Sequence, residues 1–292
     1  MSSVFEDIKN NFKGGNSLTK LIYINVGVFL IASVLRVLSF LFMVNGWEFL
    51  SYFTLPASIP LLIKKPWSII SYMFLHQSFI HLLFNMLWLY FGGQIFLSFF
   101  DNKKLISTYV LGGISGAVLF ILSFNLFPVF ATALPNAVAL GASASVLAII
   151  MAIATKSPNY SIRLLLIGNI KLKHIAIVSI VLDIMSIPQG NAGGHIAHLG
   201  GAFFGYLYVK QLNSGNDIAN SFNKIMDNLN SYLKKDPKLK KAYSRKKSDQ
   251  DYRKEKVQNQ AKIDNILDKI AKSGYEGLTK EEKDILFKAS KK

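Results

Sequence analysis

Histidine is scarce in this chain and unevenly placed: of five in 292 residues, His76, His81, His195 and His198 lie in or beside strongly apolar runs. A polar group at membrane depth is costly and by default marks function, although small polar residues also serve as packing glue. The hydroxyl suited to join them is Ser143, in Leu140-Gly141-Ala142-Ser143-Ala144-Ser145 at the head of another apolar run. A serine is a poor nucleophile until a base takes its proton, and histidine is best tuned for that near neutral pH. Ser143 with His198 therefore has the makings of a nucleophile–base pair. Acyl attack also creates an oxyanion, for which each fixed donor is worth about 10²–10³ in rate. His81 and Asn85 are four apart, share a helical face and can both donate; the backbone N–H of Ser143, near a helix start, is a third donor. Ser145 points about 200° away around the helix and reads as structural.

The elements that must carry these groups follow from composition. Only 17% of the residues are charged and 51% are hydrophobic, against roughly a quarter charged in ordinary soluble domains. A bilayer core about 30 Å thick requires roughly 20 apolar residues as helix. The sequence offers six runs of that order, near 21–44, 70–98, 105–127, 139–155, 172–187 and 194–210. The first is too long for the apolar part of a cleaved signal peptide and lacks its small-residue ending. The net charge of +16 is concentrated at one end, with 12 Lys/Arg and 5 Asp/Glu up to Val209 and 21 and 12 beyond it.

Lys and Arg collect in cytoplasmic loops. With the N-terminus inside, inner segments hold Lys9, Lys13, Lys20, Lys103, Lys104, Lys156, Arg163, Lys171, Lys173 and the basic tail, while outer ones hold Lys64 and Lys65. Arg36, inside the first run, is expected to snorkel outward. The expected location is therefore the plasma (inner) membrane, multi-pass, with both termini cytoplasmic. The outer starts of runs two, four and six bring His81, Asn85, Ser143 and His198 to one depth. Gly201 and Gly205 form a small-xxx-small pair that lets a neighbouring helix approach, with Gly200 beside them and Gly141, Ala142 and Ala144 offered in return.

Absence of cysteine removes disulfides, cysteine zinc sites, iron–sulfur clusters and thiol nucleophiles. A zinc site built from His76, His81, His195, His198 and Asp183 is the competing chemistry. It leaves Gly141-x-Ser143 without a role and has no His-Glu-x-x-His helix, so neither a metal nor another cofactor is expected. Transport would call for broken helices and paired intramembrane charges, which are not evident. Asp183, near the outer end of run five, could orient His198 as a third member of a triad; an interfacial role is the preferred reading. His195 shares the face of His198 and reads as lining or support.

The pattern His76-x-x-x-x-His81-x-x-x-Asn85, Gly141-x-Ser143 at the head of run four and Ala197-His198-x-Gly200-Gly201 in run six resembles the rhomboid intramembrane serine proteases. The resemblance covers roughly residues 15–212. It implies an all-α membrane protein, a six-transmembrane-helix rhomboid bundle around a wet cavity open to the outer face. It further implies Ser143 as nucleophile and His198 as base of a dyad, His81 and Asn85 as oxyanion donors, and His76 as support for that corner. Substrates would be transmembrane segments of other proteins, with Gly or Pro near the outer face. Run five, with Gly168 and Pro188 near its ends, would be the lateral gate. The chain departs from the family pattern at Ala144, where Gly is usual, and at Leu147, where Tyr is usual; neither is a reacting group. The first outer loop, Asn45 to Pro66, carries Trp47-Glu48 and is expected to lie partly in the outer leaflet. A catalytically slow or silent relative that binds membrane clients is the alternative.

Four regions are expected: a cytoplasmic N-terminal segment (1–19), the membrane domain (20–212), a basic polar cytoplasmic linker (213–260) and a small helical hairpin (261–292). The linker's blocks Lys234-Lys235 and Arg245-Lys246-Lys247 suit anionic lipid at about 1 kcal/mol per basic residue; nucleic acid is not an expected partner of a membrane-tethered chain. In the hairpin, Ile263, Ile266, Leu267 and Ile270 mark one amphipathic helix. Thr279 and Glu282 form a capping box for a second helix carrying Ile285 and Leu286. So short a piece buries little core alone and is expected to dock on a partner, another copy or the membrane surface.

Overall fold

The computed structural model describes residues 4–44, 46–164, 168–233 and 249–290, and the chain divides into two units after Leu233. The first unit begins with α1 (Val4–Gly14) and α2 (Ser17–Leu41), followed by α3 (Gly46–Ser51), strand β1 (Leu55–Pro56), α4 (Ile59–Lys64) and α5 (Ser68–Ser71). A 3₁₀ turn over Tyr72–Phe74 leads to α6 (Phe79–Phe99) and α7 (Asn102–Leu126), and β2 (Val138–Ala139) precedes α8 (Ser143–Lys156). The strands β3 (Ser161–Leu164) and β4 (Gly168–Lys171) then lead to α9 (Leu172–Ser186), α10 (Ala192–Asn213) and α11 (Asn220–Leu233). In the second unit α12 (Asp249–Ser273) and α13 (Lys280–Ser290) form a hairpin.

Among the described residues, four helices are long and apolar enough to cross a membrane: α2, α6, α7 and α9 with its 3₁₀ extension to Gln189. The protein is thus a mostly helical multi-pass membrane protein. Its long helices start where small polar side chains cap them, as such side chains satisfy the orphan N–H groups of a first turn. Asn16 accepts from the Thr19 N–H, Ser78 from the His81 N–H at 3.2 Å and Asp101 from the Lys104 N–H at 2.8 Å. The run expected to begin near residue 70 is therefore divided: its spanning helix starts at Phe79, and the preceding residues form α5 and the 3₁₀ turn.

Helix α8 is the centre of the membrane unit, packed against α6, α7, α9 and α10. Its alanines and glycines on its neighbours set the spacing. A β-carbon added at Gly201 would meet the carbonyl of Ala144, and one at Gly205 the carbonyl of Ala148. Gly200 faces the other way, onto Ser115 O and Gly116 of α7. Polar ties cross the apolar core: Tyr72 Oη donates to Gly113 O at 2.6 Å, Tyr109 Oη to Met73 O at 3.0 Å, and Asn25 Nδ2 to Tyr109 Oη at 3.1 Å.

Several elements depart from the sequence reading. Strands β1 and β2 pair antiparallel, Leu55 with Ala139, and tie the first loop to the entrance of α8. A second antiparallel pair, β3–β4, occupies the connection after α8. Part of the expected linker is helical, as α11, with Lys103 Nζ 2.5 Å from Asp227 Oδ2. The blocks Lys234-Lys235 and Arg245-Lys246-Lys247, residue Asn45 and the side chains of Trp47 and Glu48 lie outside the described residues. The Arg36 guanidinium, expected to reach outward, meets the turn before α6, donating to Gln77 O at 3.0 Å and His76 O at 3.3 Å.

In the second unit the capping box is reciprocal: Thr279 N–H donates to Glu282 Oε2 at 2.8 Å, and Glu282 N–H to Thr279 Oγ1 at 3.3 Å. The first hairpin helix starts at Asp249, not near 261, and buries Ile266 while leaving Leu267 half exposed. The second likewise leaves Ile285 partly exposed.

Candidate active site

Ser143 is the first residue of α8, and no side chain caps that helix. The backbone N–H groups of its first turn are therefore available to an anion, with the positive end of the helix dipole behind them. Gly141, two residues earlier, has φ +124°, a conformation costly to residues with a β-carbon. Its N–H bonds Tyr72 O at 3.0 Å, and an added β-carbon would lie 2.9 Å from the His81 ring. Gly141 thus fixes the turn into α8 and admits the imidazole of His81 from α6.

Helix α10 brings His198 across. Its Nε2 lies 2.6 Å from Ser143 Oγ, and its Nδ1 lies 2.8 Å from Asp183 Oδ1 on α9. The same carboxylate oxygen lies 2.8 Å from His195 Nδ1. A carboxylate only accepts, so each Nδ1 carries a hydrogen, and His198 Nε2 is left as the acceptor of the serine proton. Asp183 is only 7% exposed, which corrects the interfacial reading: the face of α9 that carries it is turned toward the first turns of α10, not toward the membrane surface.

The second-run residues line the opposite wall. His81 and Asn85 border one cavity with Ser143 and His198, a space of about 680 Å³ closed on its apolar side by Trp88, Leu147 and Ile150. Asn85 Nδ2 donates to His81 O at 2.9 Å, using one of its two N–H bonds. His76 is buried and edge-on to His81, ring centroids 5.2 Å apart. It supports that corner without bordering the cavity. Ser145 is turned away, its Oγ 3.8 Å from Met73 Sδ.

The five-donor metal set of the competing reading is not assembled. Asp183, His195 and His198 do present one ligand atom each within 4.8 Å of one another and could hold an ion, whereas His76 and His81 form their own ring pair. Sequence reasoning missed Arg36 as the group that pins the turn before α6. The signal was a lone guanidinium in an otherwise apolar run, which demands acceptors.

Fold and site together define a helical membrane protein with a serine–imidazole pair inside its bundle. The rhomboid domain family matches residues 64–213, and the chain belongs to that family. A presenilin-associated rhomboid-like protein A, mitochondrial, of Danio rerio is 30% identical over 140 residues, 47% of this chain and 35% of that protein. The match thus spans about a third of the relative's length. Residues 246–292 match a family of unknown function (DUF6576).

Proposed function

We propose that this rhomboid is an intramembrane serine endopeptidase that cleaves transmembrane segments of other membrane proteins. The observation that carries the reading is the 2.6 Å approach of Ser143 Oγ to His198 Nε2 beside a cavity that His81 and Asn85 also border. Ser143 Oγ attacks the scissile carbonyl carbon as its proton passes to His198 Nε2. The carbonyl electron pair moves onto oxygen, where Asn85, His81 and the Ser143 N–H donate to it. His198 then gives the proton to the departing amide nitrogen, the C–N bond breaks, and water attacks the acyl-serine by the same steps in reverse.

The proposal includes a six-span bundle of α2, α6, α7, α8, α9 and α10. At 1.5 Å per residue, the 14 residues of α8 extend about 21 Å, short of a bilayer core of about 30 Å. Its serine end would then lie below one membrane face, where a helical substrate could unwind. Helix α10 has the length of a span, 22 residues, but five glycines and two histidines dilute its apolar character. The distribution of Lys and Arg favours cytoplasmic termini in a plasma (inner) membrane, with α12–α13 docking on an unknown partner.

The test is labelling by a fluorophosphonate probe, and cleavage of a model transmembrane substrate, in liposomes. Wild type should label and cleave, and Ser143→Ala and His198→Ala should do neither. Labelling that survives Ser143→Ala would reject the nucleophile assignment. A silent client-binding relative would leave even the wild type unlabelled.

A further inference from the structure

We propose that Asp183 is a positioning residue for His198, so that the working unit is a Ser143–His198–Asp183 triad in which His195 holds the carboxylate. The inference rests on the proteolytic reading and adds to it a third member on a separate helix.

Three observations converge. Asp183 is the one carboxylate within the 15 residues of α9, and an ionisable group among apolar neighbours is retained only with a partner. Its Oδ1 meets His198 Nδ1 at 2.8 Å, while the other ring nitrogen meets Ser143 Oγ at 2.6 Å, so the three groups lie in the order acid, imidazole, hydroxyl. Finally, His195 Nδ1 meets the same oxygen at 2.8 Å. Two N–H donors from successive turns of α10 thereby fix the carboxylate against rotation, and the base is fixed in turn.

The chemistry follows from the tautomer. Neutral imidazole carries one proton, and only the Nδ1–H form leaves Nε2 able to accept from serine. A carboxylate at Nδ1 selects that form and favours the imidazolium that arises when Ser143 gives up its proton. An amide in its place can instead turn its N–H toward Nδ1 and select the wrong tautomer. The titratable groups facing Asp183 are His195 and His198 on α10 and, across the cavity, His81 on α6; α8 brings only the Ser143 hydroxyl.

The experiment compares wild type with Asp183→Asn, Asp183→Ala and Asp183→Glu as full-length protein in liposomes. Steady-state cleavage gives kcat and KM, and histidine ring ¹⁵N spectra are recorded in detergent. Asp183→Asn is expected to lower kcat about 10²-fold or more with KM nearly unchanged, and Asp183→Glu to recover part of the loss. The His198 ring should report the Nδ1–H form in wild type and lose that preference in Asp183→Asn.

Asp183→Asn with kcat within about threefold of wild type and an unchanged His198 ring tautomer, while Ser143→Ala is dead, would overturn the triad and leave the protease reading standing. Activity that requires a divalent metal and disappears on chelation would overturn it as well. A wild-type protein that cleaves nothing, yet shows the Asp183-dependent Nδ1–H signature, would instead overturn the protease reading and support the positioning contact.

Discussion

Gly201 on α10 lies so close to the carbonyl of Ala144 on α8 that a β-carbon at 201 would overlap it. Ala144 follows the candidate nucleophile, and Gly201 lies three residues after the candidate base. This contact therefore sets the distance over which Ser143 and His198 share a hydrogen bond. It also gives the departure from the family pattern at Ala144 a concrete setting: its β-carbon is accommodated by Gly116 of α7.

Gly201→Ala is therefore expected to cost about 1–3 kcal/mol in stability, the range for overpacking a close contact, and to lower cleavage by more than the loss of folded protein accounts for. Gly27→Ala, where nothing lies within 4 Å, should be neutral or stabilising by up to about 1 kcal/mol. Thermal unfolding in detergent beside initial cleavage rates checks both. Equal behaviour of the two variants would count against the contact as the spacer.

Asn85→Ala removes a donor from the cavity wall without touching Ser143 or His198. We expect kcat to fall about 10²–10³-fold with KM little changed, the loss typical of one oxyanion donor. A rise in KM alone, in steady-state kinetics on a transmembrane substrate, would assign Asn85 to substrate binding.

Arg36 joins α2 to the turn before α6 through two carbonyls. Arg36→Ala should destabilise by about 1.5–3 kcal/mol, as hydrogen bonds to a charged group are lost. Hydrogen exchange at residues 76–81 should rise more than elsewhere in the membrane unit. Uniform exchange across that unit would mean the guanidinium ties nothing locally.

At the other end of the chain, the partly exposed Glu282 carboxylate is held below its ordinary value, chiefly by the Lys269 ammonium 2.8 Å away and the Thr279 N–H. A depressed acid stabilises the fold above its unfolded value of 4.5 and loses that contribution as pH falls through its lower folded value. Amide exchange in the first turn of α13 should quicken below about pH 4.5 in wild type and be flatter with pH in Glu282→Gln.

How much of this was legible in the sequence depended on the range of the signal. The spacing of His81 and Asn85 on one helical face and Ser143 at a helix start are local patterns, and both can be read without a fold. The capping box at Thr279 and Glu282 is equally local. Asp183 was visible as a carboxylate in an apolar helix and His198 as one of its possible partners, but the sequence could not choose between that contact and an interfacial role. Which face of α9 meets α10 depends on how the chain turns through Pro188 and Asn191, the latter at φ +50°, and no periodicity encodes that. Arg36 was hidden for the same reason, its acceptors lying 40 and 41 residues away. Strands β1 and β2, two residues each, are too short to leave an alternation.

The brevity of α8 is a matter for its neighbours. Most of its residues are buried among α6, α7, α9 and α10, so its 14 residues, about 21 Å of helix, end against protein and not against a solvent of any kind. The room left beyond its first residue is the hollow that Ser143 borders, and adding a turn at that end would fill the space that the short helix keeps open.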